Sequence, residues 1–185
     1  MIFFSSDLHF NHQREFIYNP RGFETIKDMN ETIITRFNIM VEPEDDLYLL
    51  GDNFLGQDLD AGLALMLELP GKLHLIRGNH DSDKRWEALK ALPNVVEIAD
   101  AKFLKYGKYH FFLSHFPTMT GNLEKESLSQ MTLNLSGHTH SKDKFYMDMP
   151  YIYNVAVDAH DCYPISAETI LMDMKNKMTE CKEYL

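Results

Sequence analysis

Lys72-Leu73-His74-Leu75-Ile76-Arg77-Gly78-Asn79-His80-Asp81 is a strand that empties into a turn. Apolar residues at 73, 75 and 76 give the run its strand character. The glycine then starts a turn that puts an Asn and a His at the strand's carboxyl end. Binding sites of open α/β folds gather at that end. Ser82-Asp83 and a helix-like run from Lys84 follow. Four residues prove little alone, but the same arrangement recurs along the chain. Each recurrence delivers a metal-binding residue type.

Upstream, Ile2 to Ser6 reads as a short buried strand ending in Asp7-Leu8-His9. Side chains alternate faces along an extended chain, which would turn Asp7 and His9 the same way. Taken alone, that triplet is equally well a helix cap and a surface histidine. Leu47 to Leu50 is a second strand, ending in Gly51-Asp52-Asn53. Met29, Ile33, Ile34, Phe37, Met40 and Val41 form a helical stripe between these strands. A further apolar helix spans 59–69 and stops at Pro70-Gly71. The strand-helix alternation predicts an α/β fold with parallel pairing.

Downstream, Trp86, Leu89 and Leu92 mark a helix that Pro93-Asn94 ends. Strands then follow at 95–98, 103–106 and 109–114, with a hairpin turn at Gly107-Lys108. The last runs into His115-Phe116-Pro117, and a polar loop over 118–131 borders a cleft. Thr132 to Ser136 delivers Gly137-His138-Thr139-His140, a stronger ligand signal than either histidine alone. Tyr146, 151–157 and 169–174 are expected to continue the β-rich half, with Asn176-Lys177 turning a final hairpin. No repeat, low-complexity segment or linker divides the chain, so a single domain over 1–185 is expected.

Composition sets the outer bounds. A chain of 185 residues, 44% hydrophobic, is long enough to bury a core. Its net charge of −10 weighs against extended nucleic-acid binding. No run nears 18 consecutive apolar residues, so no membrane span is expected. The start Met1-Ile2-Phe3-Phe4-Ser5 lacks the basic opening of a signal peptide. Cys162 and Cys181 are too few for a disulfide framework, which makes a cytoplasmic location the expectation. His12, Arg14 and Arg21, on the loop side of the first motif, could contact a phosphate. Each is individually also an ordinary exposed loop residue.

In chain order, Asp7-Leu8-His9, Gly51-Asp52, Gly78-Asn79-His80-Asp81, His115 and Gly137-His138-Thr139-His140 resemble the signature of the calcineurin-like metallophosphoesterases. All five blocks are present over residues 7–140, and the opening resembles the small bacterial and phage members. The resemblance implies a four-layer α-β-β-α sandwich of two mixed β-sheets flanked by helices. It also implies a two-metal site. Asp7, His9, Asp52 and His140 would hold one ion, and Asp52, Asn79, His115 and His138 the other, with Asp52 bridging. Two divalent ions and two carboxylates leave a charge of about +2, which attracts a phosphate anion despite the acidic chain.

The implied activity is hydrolysis of phosphodiesters, and also of monoesters, by in-line attack of a metal-bound hydroxide. Mixed N/O ligation suits Mn, Fe, Zn or Ni, and family habit favours manganese in vitro. His80, absent from the ligand set, would face the leaving group as acid or charge stabiliser, and Asp81 could orient it. Asn53-Phe54-Leu55-Gly56 departs from the Val-Asp-Arg-Gly of protein Ser/Thr phosphatases, which speaks against phosphoprotein substrates. A small phosphate ester is the expected partner. In the run Asn154 to His160, Asp158 either supports the site from beneath or only packs. The competing reading is a scaffold member of the same fold that lost catalysis.

Overall fold

The computed structural model describes residues 1–121, 125 and 127–183. In chain order the elements are β1 (Ile2–Ser5), α1 (Glu15–Tyr18), α2 (Ile26–Met40), β2 (Asp46–Leu49), α3 (Leu59–Leu67), β3 (Lys72–Ile76) and α4 (Asp83–Lys90). They continue as β4 (Val95–Ala99), β5 (Ala101–Tyr106), β6 (Tyr109–Ser114), β7 (Thr132–Ser136), β8 (Ile152–Asn154), β9 (Ile165–Ser166) and α5 (Ala167–Glu183).

The strands form two mixed sheets flanked by helices. One is five-stranded in the order β4-β3-β2-β1-β9, the other four-stranded in the order β5-β6-β7-β8. In the first, β1 to β4 are parallel neighbours and β9 runs antiparallel to β1. In the second, β5 and β6 form the hairpin turned at Gly107, while β6, β7 and β8 are parallel. Strand alternation divides the apolar residues between two cores. Phe3, Leu47, Leu49, Leu73 and Leu75 face α2, α3 and α4, meeting Met29, Ile33, Phe37, Met66, Trp86 and Leu89. Phe4, Tyr48, Leu50 and Ile76 face the other way, onto Phe111, Leu113, Leu133, Leu135 and Tyr153 of the second sheet.

Helix starts follow their side-chain chemistry. The Thr25 hydroxyl accepts from the Asp28 amide at 3.1 Å and starts α2. The Asp58 carboxylate accepts from the Ala61 amide at 3.0 Å and starts α3. The third apolar helix, α4, lies where Trp86 and Leu89 placed it, and both are buried.

The C-terminal segment corrects the sequence expectation. Residues 169–174 are not a strand, and Asn176-Lys177 turns no hairpin; both lie inside α5. The physical reason is period. Ala167, Ile170, Leu171 and Met174, all buried against the inter-sheet core, stand at helical spacing. Tyr146 likewise sits in a short 3₁₀ turn rather than a strand. Of the polar loop at 118–131, residues 122–124 and 126 lie outside the described residues. Its end is not simply polar cover, because Leu128 and Met131 are buried in the inter-sheet core.

Parallel order is what builds the site. Strands β1, β2, β3, β6 and β7 all end in a motif, and parallel neighbours end on the same side. The ladder continues past β1 and β2 as Asp7 N–H to Gly51 O (3.0 Å) and His9 N–H to Asp52 O (3.0 Å). A parallel bridge between Ser6 and Ala156 pins the first sheet to the end of the second.

Candidate metal centre

Asp7, His9, Asp52, His115 and His140 converge at the carboxyl ends of both sheets. Two overlapping groups have donor atoms close enough to hold a cation: Asp7, His9 and His140, and Asp7, Asp52 and His115. His9 Nε2 lies 3.9 Å from Asp7 Oδ1 and 3.7 Å from Asp52 Oδ2. His140 Nε2 lies 3.8 Å from Asp7 Oδ1, and His115 Nε2 lies 3.4 Å from Asp52 Oδ2. Asn79 joins the second group, its Oδ1 being 2.8 Å from His115 Nε2 and 3.0 Å from His138 Nδ1.

The chemistry of this donor set fits a cation. Asp7 Oδ1 and His9 Nε2 are buried and have no hydrogen-bond partner among the described residues. A buried polar atom without a partner costs free energy, about 1–3 kcal/mol for each neutral group. Both atoms face the same point, where a divalent ion would satisfy them together. Burial pushes the Asp7 carboxyl upward and the His9 imidazole down to about 2. A neutral imidazole is the form that ligates. Burial acts to raise Asp52 as well, but His115 and the His80 amide hold it down at about 2, so it is a carboxylate at neutral pH.

Ring orientation is set by partners on the far side of each imidazole. The Leu50 carbonyl lies 2.8 Å from His115 Nδ1 and can only accept, so Nδ1 carries the proton and Nε2 offers a lone pair. Asp158 Oδ2, 3.3 Å from His140 Nδ1, can accept from it, and Arg21 Nη2 lies 3.4 Å from the same nitrogen, so the pair holds the His140 ring from behind. Asp158 therefore does support the site. The loop bearing His138 and His140 is held by Asn154, whose Nδ2 donates to the Ser141 and Asp143 carbonyls at 3.0 Å each.

The convergence has a different local cause from strand alternation. Asp7, His9, Asp52, His138 and His140 have φ of 57°, 48°, 56°, 69° and 49°. That left-handed conformation costs roughly 1–2 kcal/mol per non-glycine residue. Strain of this kind clusters at functional sites.

Two glycines let the backbone close on the carboxylates. A Cβ on Gly78 would overlap Asp52 Oδ1 and its amide, and one on Gly137 would overlap Ser6 Oγ and Asp7 Oδ2. Gly137→Ala is expected to cost about 1–3 kcal/mol in stability, the range of core overpacking. It should weaken divalent-ion binding at the same time. Thermal melts with and without added metal check both; an unchanged melt would show that the loop yields freely.

The residues expected around the substrate fare differently. His12 reaches the site: its Nδ1 is 3.3 Å from His9 Nδ1, and with Arg14 it lines a cleft of about 720 Å³. Arg21 is turned inward. Its side chain is 2% exposed and grips Asp158 through Nε (3.0 Å) and Nη2 (2.8 Å), with further bonds to the Asp7 and Leu8 carbonyls. Asp81 is neither a substrate contact nor a partner of the His80 ring. It is buried and accepts from the amides of Gly78 (2.8 Å), Asp52 (3.0 Å) and Asn53 (3.3 Å), tying the second and third strand ends together. His80 is exposed, 5.6 Å from the His9 ring between centroids, and its amide donates to Asp52 Oδ1 at 2.9 Å. Ser6, unremarked in the sequence, bonds Asp7 Oδ2 at 2.6 Å. A serine ending an apolar strand carries no distinctive signal.

Fold and site together define a phosphoesterase class with a candidate metal centre. Residues 1–148 match the calcineurin-like phosphoesterase family model, and the chain belongs to that family. It is 31% identical over 180 residues to an uncharacterized protein of Methanocaldococcus jannaschii, covering 92% of this chain and 89% of that one. It is 28% identical to the gene 66 protein of Mycobacterium phage D29, covering 89% and 92%. A crystal structure of a protein of unknown function from Aquifex aeolicus superposes with a TM-score of 0.71 at 30% identity, covering 93% and 98%. No helix among the described residues is long and apolar enough to cross a membrane.

Proposed function

We propose that the protein is a dinuclear metal-dependent phosphoesterase that prefers small phosphodiesters. The observation that carries this reading is the pair of buried, partnerless atoms Asp7 Oδ1 and His9 Nε2, aimed at the same space as Asp52, His115 and His140. Asp7, His9, Asp52 and His140 would hold one ion, and Asp52, Asn79, His115 and His138 the other. Bound there, two divalent ions supply Lewis acidity and make water a nucleophile at neutral pH. Manganese is the first metal to try, with iron, zinc and nickel next.

The protein's own groups do the rest. Asp52 presents its charge between the two subsites. His80 stands exposed at the rim, held there by its amide bond to Asp52, where its ring can give a proton to a departing alkoxide. The 720 Å³ cleft beside His12 and Arg14 is open to an organic substituent of the ester. A scaffold that had lost catalysis would have no use for an exposed His80 or for strained ligand positions. The test is hydrolysis of a chromogenic phosphodiester and its monoester by metal-stripped protein, with and without Mn²⁺. Faster diester cleavage that depends on metal supports the proposal; no cleavage with any divalent ion sinks it.

His80→Ala separates chemistry from metal binding. Turnover of alkyl phosphodiesters is expected to fall by roughly 10²–10⁴, the usual worth of a general acid. A p-nitrophenolate leaving group needs little protonation, so its loss should be much smaller. Metal content should not change, because no candidate ligand atom is removed. Equal losses for both leaving groups would refute the assignment.

A further inference from the structure

A cavity of about 450 Å³ lies apart from the candidate ligands, none of which lines it. Its volume is in the range of small-molecule sites, about 300–1,000 Å³. The Arg21–Asp158 pair forms one wall, and Arg36, Lys142, Phe23 and Tyr163 contribute others. Arg36 donates Nη1 to the Asp161 carbonyl and lies 4.8 Å over the Tyr163 ring. Among the described residues no carboxylate pairs with Arg36 or Lys142. Arg21 and Asp158 neutralise each other, which leaves Arg36 and Lys142 against Asp161 within the lining; on its other side Arg36 borders a depression with Asp28 and Glu31. In a chain of net charge −10, the cavity lining itself carries one net positive charge. Asp161 and Cys162 hold left-handed backbone here, with φ of 47° and 58°. The buried Cys162 thiol is pushed up to about 11, so it stays neutral and adds no charge.

We propose that this cavity is a second ligand site, for a small phosphate-bearing molecule. Its dianion would sit between Arg36 and Lys142, and its organic part against Phe23 and Tyr163. Arg presents a planar fork suited to phosphate, and Lys a compact charge. Occupancy would reach the metal centre by a short route. Asp158 lines the cavity and accepts from His140 Nδ1, and Lys142 lies on the same loop two residues beyond His140. The binding stands on the cavity alone; only the coupling rests on reading His140 as a metal ligand.

Calorimetric titration of the chelator-treated, intact chain with inorganic phosphate and with phenyl phosphate tests the binding. One saturable site is expected, tighter for phenyl phosphate. Arg36→Gln or Lys142→Gln should each weaken it roughly tenfold, and the double variant should lose it. An unchanged thermal melt of the double variant separates lost binding from lost folding. No saturable binding, or binding that survives the double variant, overturns the proposal. Survival in the double variant with loss in Asp7→Asn would place the anion at the metal residues instead. Equal affinity for the two probes would discard the organic half and leave free phosphate as the ligand. For the coupling, manganese affinity is measured with and without phenyl phosphate. A shift present in the parent and absent in the double variant supports it, because linkage is reciprocal; identical shifts in both overturn it. Neither arm requires that the protein turn over an ester.

Discussion

Asp52→Asn protein should keep its fold and lose metal-dependent ester hydrolysis by on the order of 10³-fold or more. The figure follows from charge. A metal clamp supplies several kcal/mol of transition-state stabilisation, and about 1.4 kcal/mol is worth a factor of ten. Asp52 Oδ2 stands 3.7 Å from His9 Nε2 and 3.4 Å from His115 Nε2, so it lies between a histidine of each proposed subsite, beside Asp7, which belongs to both candidate groups. Its other oxygen accepts from the His80 amide at 2.9 Å, which fixes the carboxylate plane. An asparagine keeps the shape and can keep that bond through its carbonyl oxygen. It cannot keep the negative charge, which neighbouring groups hold ionised with a carboxyl pKa near 2. Two cations that shared one anion would then repel across a neutral amide. Diester turnover with Mn²⁺ and metal content by mass spectrometry check the outcome. Parent-like turnover, or two retained ions, would show that Asp52 does not bridge.

What the sequence could and could not reveal divides along physical lines. The strand ends of β1, β2 and β3 were legible because parallel strands buried on both faces read as short apolar runs. Gly51 and Gly78 then marked where the second and third runs stopped. The residues that gather at the site share that one position, the carboxyl end of a strand, and a period of motif after strand needs no long-range information. The backbone that turns them inward was not legible. Alternation along an extended chain would bring Asp7 and His9 to one side, but both are left-handed in φ. Asp and His tolerate that conformation better than most residues, but what holds them in it is the bonds to Gly51 and Asp52 of the neighbouring strand end, which local pattern does not reveal.

The error at the C-terminus had a different origin. Thr169 to Met174 is an apolar stretch short enough to suit a strand, and only a longer window exposes the spacing 167, 170, 171, 174. The pairing of Arg21 was hidden for a third reason. A loop arginine beside a phosphate site looks like a phosphate ligand, and its partner Asp158 is 137 residues away. Local pattern cannot find such a pair. The residues Ser82 and Asn154 show the same limit from opposite sides. Ser82 is of a residue type that caps helices yet makes no side-chain cap bond, while Asn154 lies in a strand yet holds the histidine loop.

Arg21→Met should destabilise the protein by about 3–5 kcal/mol, the cost of stranding one partner of a buried ion pair. The side chains of Arg21 and Asp158 are 2% and 9% exposed, so water cannot replace the lost guanidinium. Four acceptors lose a donor at once: both Asp158 oxygens and the Asp7 and Leu8 carbonyls. Chemical denaturation measures the loss, and a change below about 1 kcal/mol would mean the pair behaves as a surface bridge. The double variant Arg21→Met/Asp158→Leu distinguishes fold from function. Without a stranded charge it should recover much of the stability, since removing both partners of a buried pair is often near neutral. It should lose metal affinity, because nothing then orients the His140 ring. Loss of such an outer hydrogen bond costs roughly 10–100-fold in metal binding. Stability and metal affinity would therefore part: the single variant loses stability but keeps Asp158 on the His140 ring, while the double variant regains stability and loses metal affinity. That separation is what a positioning role for Asp158 demands, and a purely structural ion pair would not produce it.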